Sequence, residues 1–246
     1  MVFWAEYFSK PALRILNVLG DALPFSLLEW GLLALLLWIL PRPRRLRALF
    51  ALILSMLLMY ALVWVPLYAQ AKPDYDASDA QIEASCADLI SILNASEPDF
   101  FQTPNDLPAK VCAFPFWMRA LKLSGFYSFF TGEALISPDV PACAAPFTAV
   151  HEAMHSRGVA DEGLCNIAAY EDCLARGGAY ADSARLWALR YSMGFVKKAD
   201  TDAYFHLLCR MNPRTYALFR EIGGAVCEGG GYEILASYLA AKERVC

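Results

Sequence analysis

Residues 48–69 run for 22 positions without a charged side chain. At 1.5 Å per residue, a helix of that length covers roughly 33 Å, enough to cross the ~30 Å hydrocarbon core of a bilayer. A second apolar segment precedes it over residues 22–40; it carries Pro24 and Glu29 near its start and is strongly apolar from Trp30 onward. Between the two lies Pro41-Arg42-Pro43-Arg44-Arg45-Leu46-Arg47, with four arginines in a short loop. Such loops stay on the cytoplasmic side. The expectation is a transmembrane hairpin within residues 1–71, with both ends outside. Tyr60, Trp64 and Tyr68 fall toward the outer end of the second span, where aromatic rings favour the membrane interface. Ala69-Gln70-Ala71 resembles a signal cleavage site, but the apolar run before it exceeds the usual 7–15-residue signal core, so retention is expected. Residues 9–19 read as a short amphipathic helix on the outer membrane surface, with Pro11 in its first turn and Gly20 after its end.

The remainder, residues 72–246, is expected to form one outer domain. It contains His151-Glu152-Ala153-Met154-His155, an HExxH motif built from two of only three histidines. On a helix, residues four apart share a face, so both imidazoles can address one metal ion. Glu152 can reach a water held there. Two His ligands, a water and a neighbouring carboxylate are the parts of a zinc hydrolase. Ala145-Pro146-Phe147-Thr148-Ala149-Val150 leads in with a turn and an apolar run. Gly158 stands where the helix can end in a left-handed residue, returning the chain toward the metal.

A catalytic zinc site takes a third protein ligand and keeps one position open. Asp161 fits the spacing HExxHxxGxxD, and Glu162 fits a gluzincin-like arrangement in which the carboxylate opens a second helix. That helix is expected over residues 162–175, stopped by Gly177-Gly178, with Glu162, Asn166, Tyr170 and Cys173 on one face. Glu162 is favoured because it is in register with Asn166 and Tyr170, candidates for a ligand-orienting group and an oxyanion donor. No Met-turn is evident. Asp161 remains the alternative, and its bland reading is a helix cap. His206, the third histidine, reads as structural, with a reserve role as ligand or oxyanion stabiliser.

Elsewhere, Ser78 is expected to cap a helix to about Asn94, with Ile82, Cys86, Leu89, Ile90 and Leu93 on one face. Aromatic residues and Gly punctuation over residues 111–117 and 123–136 suggest one or two short strands. Residues 127–136 are the candidate edge for substrate pairing, with Thr131, Gly132 and Glu133 as the binding positions. Further helices are expected over residues 181–191, 202–210, 213–222 and 232–242. All eight cysteines follow the second apolar segment. An even count outside a membrane suggests disulfides, though eight cysteines allow 105 pairings. Cys165 reads as structural. The net charge of −4 and the lack of a basic patch outside the arginine loop argue against a nucleic-acid partner.

These residues resemble an uncharacterised bacterial family of two-span membrane proteins with a zinc-peptidase-like outer domain. The resemblance runs through Leu23-Pro24-Phe25-Ser26, Trp64 and Tyr68, the segment Ser124-Gly125-Phe126-Tyr127-Ser128-Phe129-Phe130-Thr131-Gly132-Glu133-Ala134, and Pro146-Phe147-Thr148. It continues through His151-Glu152, His155, Arg157-Gly158, Glu162, Asn166, Ala169-Tyr170 and Tyr191-Ser192. The family is acidic again two residues after Glu162, where this chain has Leu164, and the many cysteines are unusual for it. The resemblance implies a membrane-tethered metallopeptidase-like protein of the bacterial cytoplasmic membrane.

The expected architecture is mainly α: a transmembrane helical hairpin followed by a zincin-like, α-rich outer domain with a small β element. The expected activity is peptide-bond hydrolysis with Zn²⁺ held by His151, His155 and Glu162, Glu152 acting as general base and Tyr170 assisting. Its partners would be a peptide or protein substrate and the lipid bilayer. Two rivals are an inactive zinc-binding envelope scaffold or sensor, and a membrane-embedded protease. The intact Glu152 argues against the first; the distance of the motif from the last apolar span argues against the second.

Overall fold

A computed structural model describes residues 1–39, 46–70, 78–96, 100 and 107–223. Most of the arginine-rich loop (40–45), the polar linker after Ala71, the expected helix at 232–242, Cys227 and Cys246 lie outside the described residues. The protein is mainly helical with one three-stranded sheet. It gathers into two compact units that alternate along the sequence.

The first unit holds the apolar N-terminal part. Helix α1 (Val2–Trp4) passes through a π-helical turn (Ala5–Ser9) into α2 (Lys10–Asp21). Pro11 lies in the first turn of α2 as expected. Gly20, expected after the helix, lies inside it and is fully buried. A Cβ there would collide with the Thr131 carbonyl oxygen, so close approach rather than helix termination requires the glycine. Helix α3 (Leu27–Ile39) follows. Glu29, an acid in this apolar helix, is buried but well satisfied: its carboxylate accepts from Cys112 Sγ (2.9 Å) and from the backbone N–H of Ala113 and Phe114 (2.8 Å each). That answers the cost of an apolar helix burying a charge.

Helix α4 (Leu46–Met59) continues through a π-helical segment (Tyr60–Trp64) and a 3₁₀ segment (Val65–Ala69). Arg47–Ala69 is one candidate membrane span of 23 residues, with a mean hydropathy of 2.5 and only 11% of it buried. Its far end is partly buried. Trp64 is buried and stacks on Tyr127 (5.6 Å between ring centroids) and Phe129 (5.5 Å), while Tyr68 is exposed.

The sheet belongs to the same unit, in the order β1 (Lys110–Val111), β3 (Glu133–Ile136), β2 (Gly125–Ser128). β1 runs parallel to β3, and β2 antiparallel with Gly125 opposite Ile136 and Ser128 opposite Glu133. The strand expected over residues 111–117 stops at Val111; the residues beyond form helix α6 (Phe116–Leu121), closed by Lys122 in the left-handed region. Leu13, Val63, Trp64, Leu67, Tyr127 and Ala160 form the core of this unit.

The second unit is a helical bundle around α9 (Gly178–Ala199), against which α5 (Asp79–Ser96), α8 (Glu162–Arg176), α10 (Thr201–Arg210) and α11 (Pro213–Gly223) pack. Ser78 caps α5 as expected: its Oγ accepts from Gln81 N–H (3.4 Å), and its own N–H donates to Gln81 Oε1 (2.8 Å). The five apolar residues assigned to one face of α5 are all buried. Gly177 and Gly178, both with positive φ, end α8 where expected, but α9 is twice as long as the 181–191 segment the pattern suggested. None of Cys86, Cys112, Cys143, Cys165, Cys173 and Cys209 is in a disulfide. The expected disulfide framework therefore finds no support among the described cysteines. Burial instead pushes the thiols of Cys86, Cys143 and Cys173 up to about 12.

Candidate metal centre

The HExxH residues lie on α7 (Ala145–Ser156), which has Pro146 in its first turn. The boundary between the two units falls inside this helix, between His151 and Glu152. Its first half is fixed to α9. Ser183 Oγ donates to the Cys143 carbonyl (2.6 Å) and accepts from Phe147 N–H (3.2 Å), and Phe147 packs on Trp187 (5.8 Å between ring centroids).

The far end of α7 closes as a Schellman motif. Gly158 takes φ +86°, its N–H donates to the His155 carbonyl (3.0 Å), and Val159 N–H donates to the Met154 carbonyl (3.3 Å). This turn has a chemical consequence. It brings the Val159 carbonyl to 2.7 Å from His155 Nδ1. A carbonyl only accepts, so Nδ1 carries the proton and Nε2 keeps its lone pair for a ligand. Such Nδ1–H···O=C contacts are how proteins orient metal-binding histidines. Trp64 and Tyr127 pack against the same ring at 5.9 and 6.2 Å between centroids. Neither contact was foreseeable from local spacing.

His151 and His155 lie one turn apart on α7, with ring nitrogens within 4.8 Å of each other. His151 Nε2 is 3.1 Å from Glu162 Oε2. Two ligand atoms about 2.0–2.1 Å from one tetrahedral zinc stand about 3.3 Å apart, so the imidazole–carboxylate spacing fits a shared ion. Glu162 opens α8, as expected, and its side chain is 66% exposed, leaving that side of the pair accessible. Asp161 immediately precedes α8 at its cap position and is buried. Asn166 and Tyr170 follow Glu162 at one-turn intervals on α8; both are buried, Tyr170 to 1% exposure in the bundle core. His206 is exposed on α10; the ligand atoms that all lie within 4.8 Å of one another are those of His151, His155 and Cys165, and neither His206 nor Glu162 belongs to that group.

Glu152 is buried, and its carboxylate lies against Gly125, the first residue of β2. A Cβ on Gly125 would collide with the Glu152 carboxylate, so the strand makes room for this side chain by having none of its own. The edge of the sheet thus meets the motif at Gly125, not at the expected Thr131, Gly132 and Glu133. Thr131 Oγ1 donates to Ser128 Oγ (2.9 Å), and Gly132 packs on the backbone of Leu16 and Asn17. Glu133 is fully buried and accepts from Lys110 Nζ (2.9 Å) and from the first two N–H groups of α3, Leu27 (2.8 Å) and Leu28 (2.9 Å). These three residues tie the hairpin to α2 and α3.

One residue was read differently in the sequence. Cys165, fully buried on α8, brings its Sγ within 4.8 Å of a His151 ring nitrogen and donates to the His151 carbonyl (3.1 Å). The signal was present: Cys165 follows Glu162 by three residues, which places it on the same face.

The sequence model of a family described as Protein of unknown function (DUF3810) matches residues 65–231. No curated protein and no solved structure matches the chain.

Proposed function

The chain belongs to this family, and we propose that it is a membrane-anchored zinc metallopeptidase that hydrolyses peptide bonds outside the cytoplasmic membrane. The observation that carries this reading is the donor set around α7: two histidines one turn apart, with the Glu162 carboxylate 3.1 Å from His151 Nε2. A zinc ion held there would supply Lewis acidity and bring the pKa of a bound water down toward neutrality. The residues supply the rest. His155 is held by Val159 with Nε2 presented, Glu162 offers an exposed oxygen, and Asn166 lies one turn behind it to orient a ligand. Glu152, adjacent to His151, takes the proton of the attacking water and returns it to the leaving amine.

The anchor is residues 47–69; positions 47–62 stand largely exposed along this apolar helix, a surface that a bilayer would cover. With the arginines that precede this helix inside, the metal helix faces outward, where its substrates are peptides or proteins. The test is metal content of the full-length protein in detergent. About one zinc per chain, lost in His155→Ala, is expected; a folded wild-type protein that binds no zinc refutes the reading. Cys165 favours a second reading, an inactive zinc-binding scaffold or sensor, because a fourth protein ligand closes the position that catalysis needs.

A further inference from the structure

We propose that Cys165 is a fourth protein ligand of this centre, so that in the resting protein its thiolate fills the coordination position a water would need. The proposal rests on the zinc reading above. Its basis is placement. Cys165 follows Glu162 by three residues on α8, so a helix that presents Glu162 to His151 presents Cys165 beside it. Its Sγ already lies within 4.8 Å of a His151 ring nitrogen. Sulfur and nitrogen ligands on one tetrahedral zinc, at about 2.3 and 2.0 Å from the metal, stand about 3.5 Å apart. The remaining ångström is the scale of a side-chain rotation. Thiolate and imidazole are also the donors zinc accepts most readily.

The four other buried cysteines among the described residues do not belong to a ligand group, and burial holds them as thiols. A bound cation changes that balance for Cys165, since a coordinating thiol is deprotonated outright. The S–H bond breaks, its proton goes to bulk water, and a sulfur–metal bond forms; no electron changes owner. Glu162, 3.1 Å from His151 Nε2 but outside the group of His151, His155 and Cys165, would have to swing in on its exposed side chain to complete four donors. A water or a substrate carbonyl enters only when Cys165 leaves, so the enzyme rests in a closed form.

Cobalt(II) distinguishes the cases, because a cobalt–thiolate bond adds a near-ultraviolet charge-transfer band to the visible d–d bands. The full-length protein in detergent is stripped with a chelator and titrated with cobalt. The wild type is expected to show both features, while Cys165→Ser and Cys165→Ala keep the visible bands and lose the near-ultraviolet one. Azide should perturb the visible spectrum of both variants at a concentration at least tenfold lower than in the wild type. Visible bands without the near-ultraviolet band in the wild type, or a band that persists in both variants, overturns the ligand assignment and leaves the hydrolase reading standing. No cobalt spectrum at all overturns both.

Discussion

Glu133→Ala separates two roles for a residue that local pattern assigns to substrate binding. In the structure its carboxylate caps α3 from outside, taking the N–H groups of Leu27 and Leu28, and pairs with Lys110. Alanine strands two amides at the positive end of a helix; because both are only part-buried, each costs about 1–2 kcal/mol. Lys110 keeps the carbonyls of Gly20 and Phe25, which places the total at about 2–4 kcal/mol. For a chain of this size that is a fall of roughly 4–16 °C in Tm, read by fluorescence-detected melting of the detergent-solubilised protein.

The effect carries a pH signature. Burial works to raise the pKa of Glu133, but Lys110 and the N–H groups of Leu28 and Leu27 outweigh it and hold the carboxyl below its ordinary value. A group with a depressed folded pKa stabilises above its unfolded pKa, about 4.3, and loses that contribution as pH falls through the folded value. The Tm gap between wild type and Glu133→Ala should therefore be constant near neutrality and shrink below about pH 4. A variant with unchanged Tm but altered hydrolysis would refute this reasoning and return Glu133 to the substrate site.

Four further outcomes follow from the site. Glu152→Gln should bind zinc as the wild type does and lose hydrolysis at least a hundredfold, measured on a peptide library; equal activity refutes the general-base role. Glu162→Ala should weaken zinc binding at least tenfold more than Asp161→Ala, and the reverse order in a competition titration would move the third ligand to Asp161. Gly125→Ala should leave zinc bound yet reduce hydrolysis at least tenfold by displacing the Glu152 carboxylate; unchanged turnover would show that the contact is incidental. At pH 8, maleimide labelling read by peptide mass spectrometry should modify exposed Cys209 and spare Cys86, Cys143 and Cys173, whose thiols burial raises to about 12; rapid labelling of those three would contradict their burial.

What was legible in the sequence was set by local periodicity. The i, i+4 pair His151 and His155, the Gly158 stop, the start of α8 at Glu162 and the capped α5 with its five-residue apolar face each depend on residues within one or two turns. What was missed depends on partners far along the chain. Glu133 reads as a polar residue beside a turn, and only the arrival of α3, more than a hundred residues earlier, makes it a buried cap. Trp64 reads as an interface aromatic because it ends an apolar run, yet Tyr127 and His155 cover its ring. Phe116 and Trp117, the first two residues of α6, read as the end of a strand because Phe and Trp are β-compatible, a preference that depends on context more than helix propensity does.

The cysteines make the same point about composition. An even number outside a membrane is a signal about compartment, and it says nothing of where each side chain points. Cys86 lies four residues from both Ile82 and Ile90 on α5, and Cys173 follows Ala169 and Tyr170 on the buried face of α8. At those positions cysteine behaves as a small apolar side chain, which is its commonest role when buried. Cys165 has the same helical spacing, and what sets it apart is a histidine nitrogen within ligand reach. Spacing alone puts Cys165 and Glu162 on one face; the packing of α7 beside α8 turns that face toward His151. Whether the proposed zinc site would stand open to a water or closed by a protein ligand therefore turns on one thiol, whose role no periodicity argument could assign.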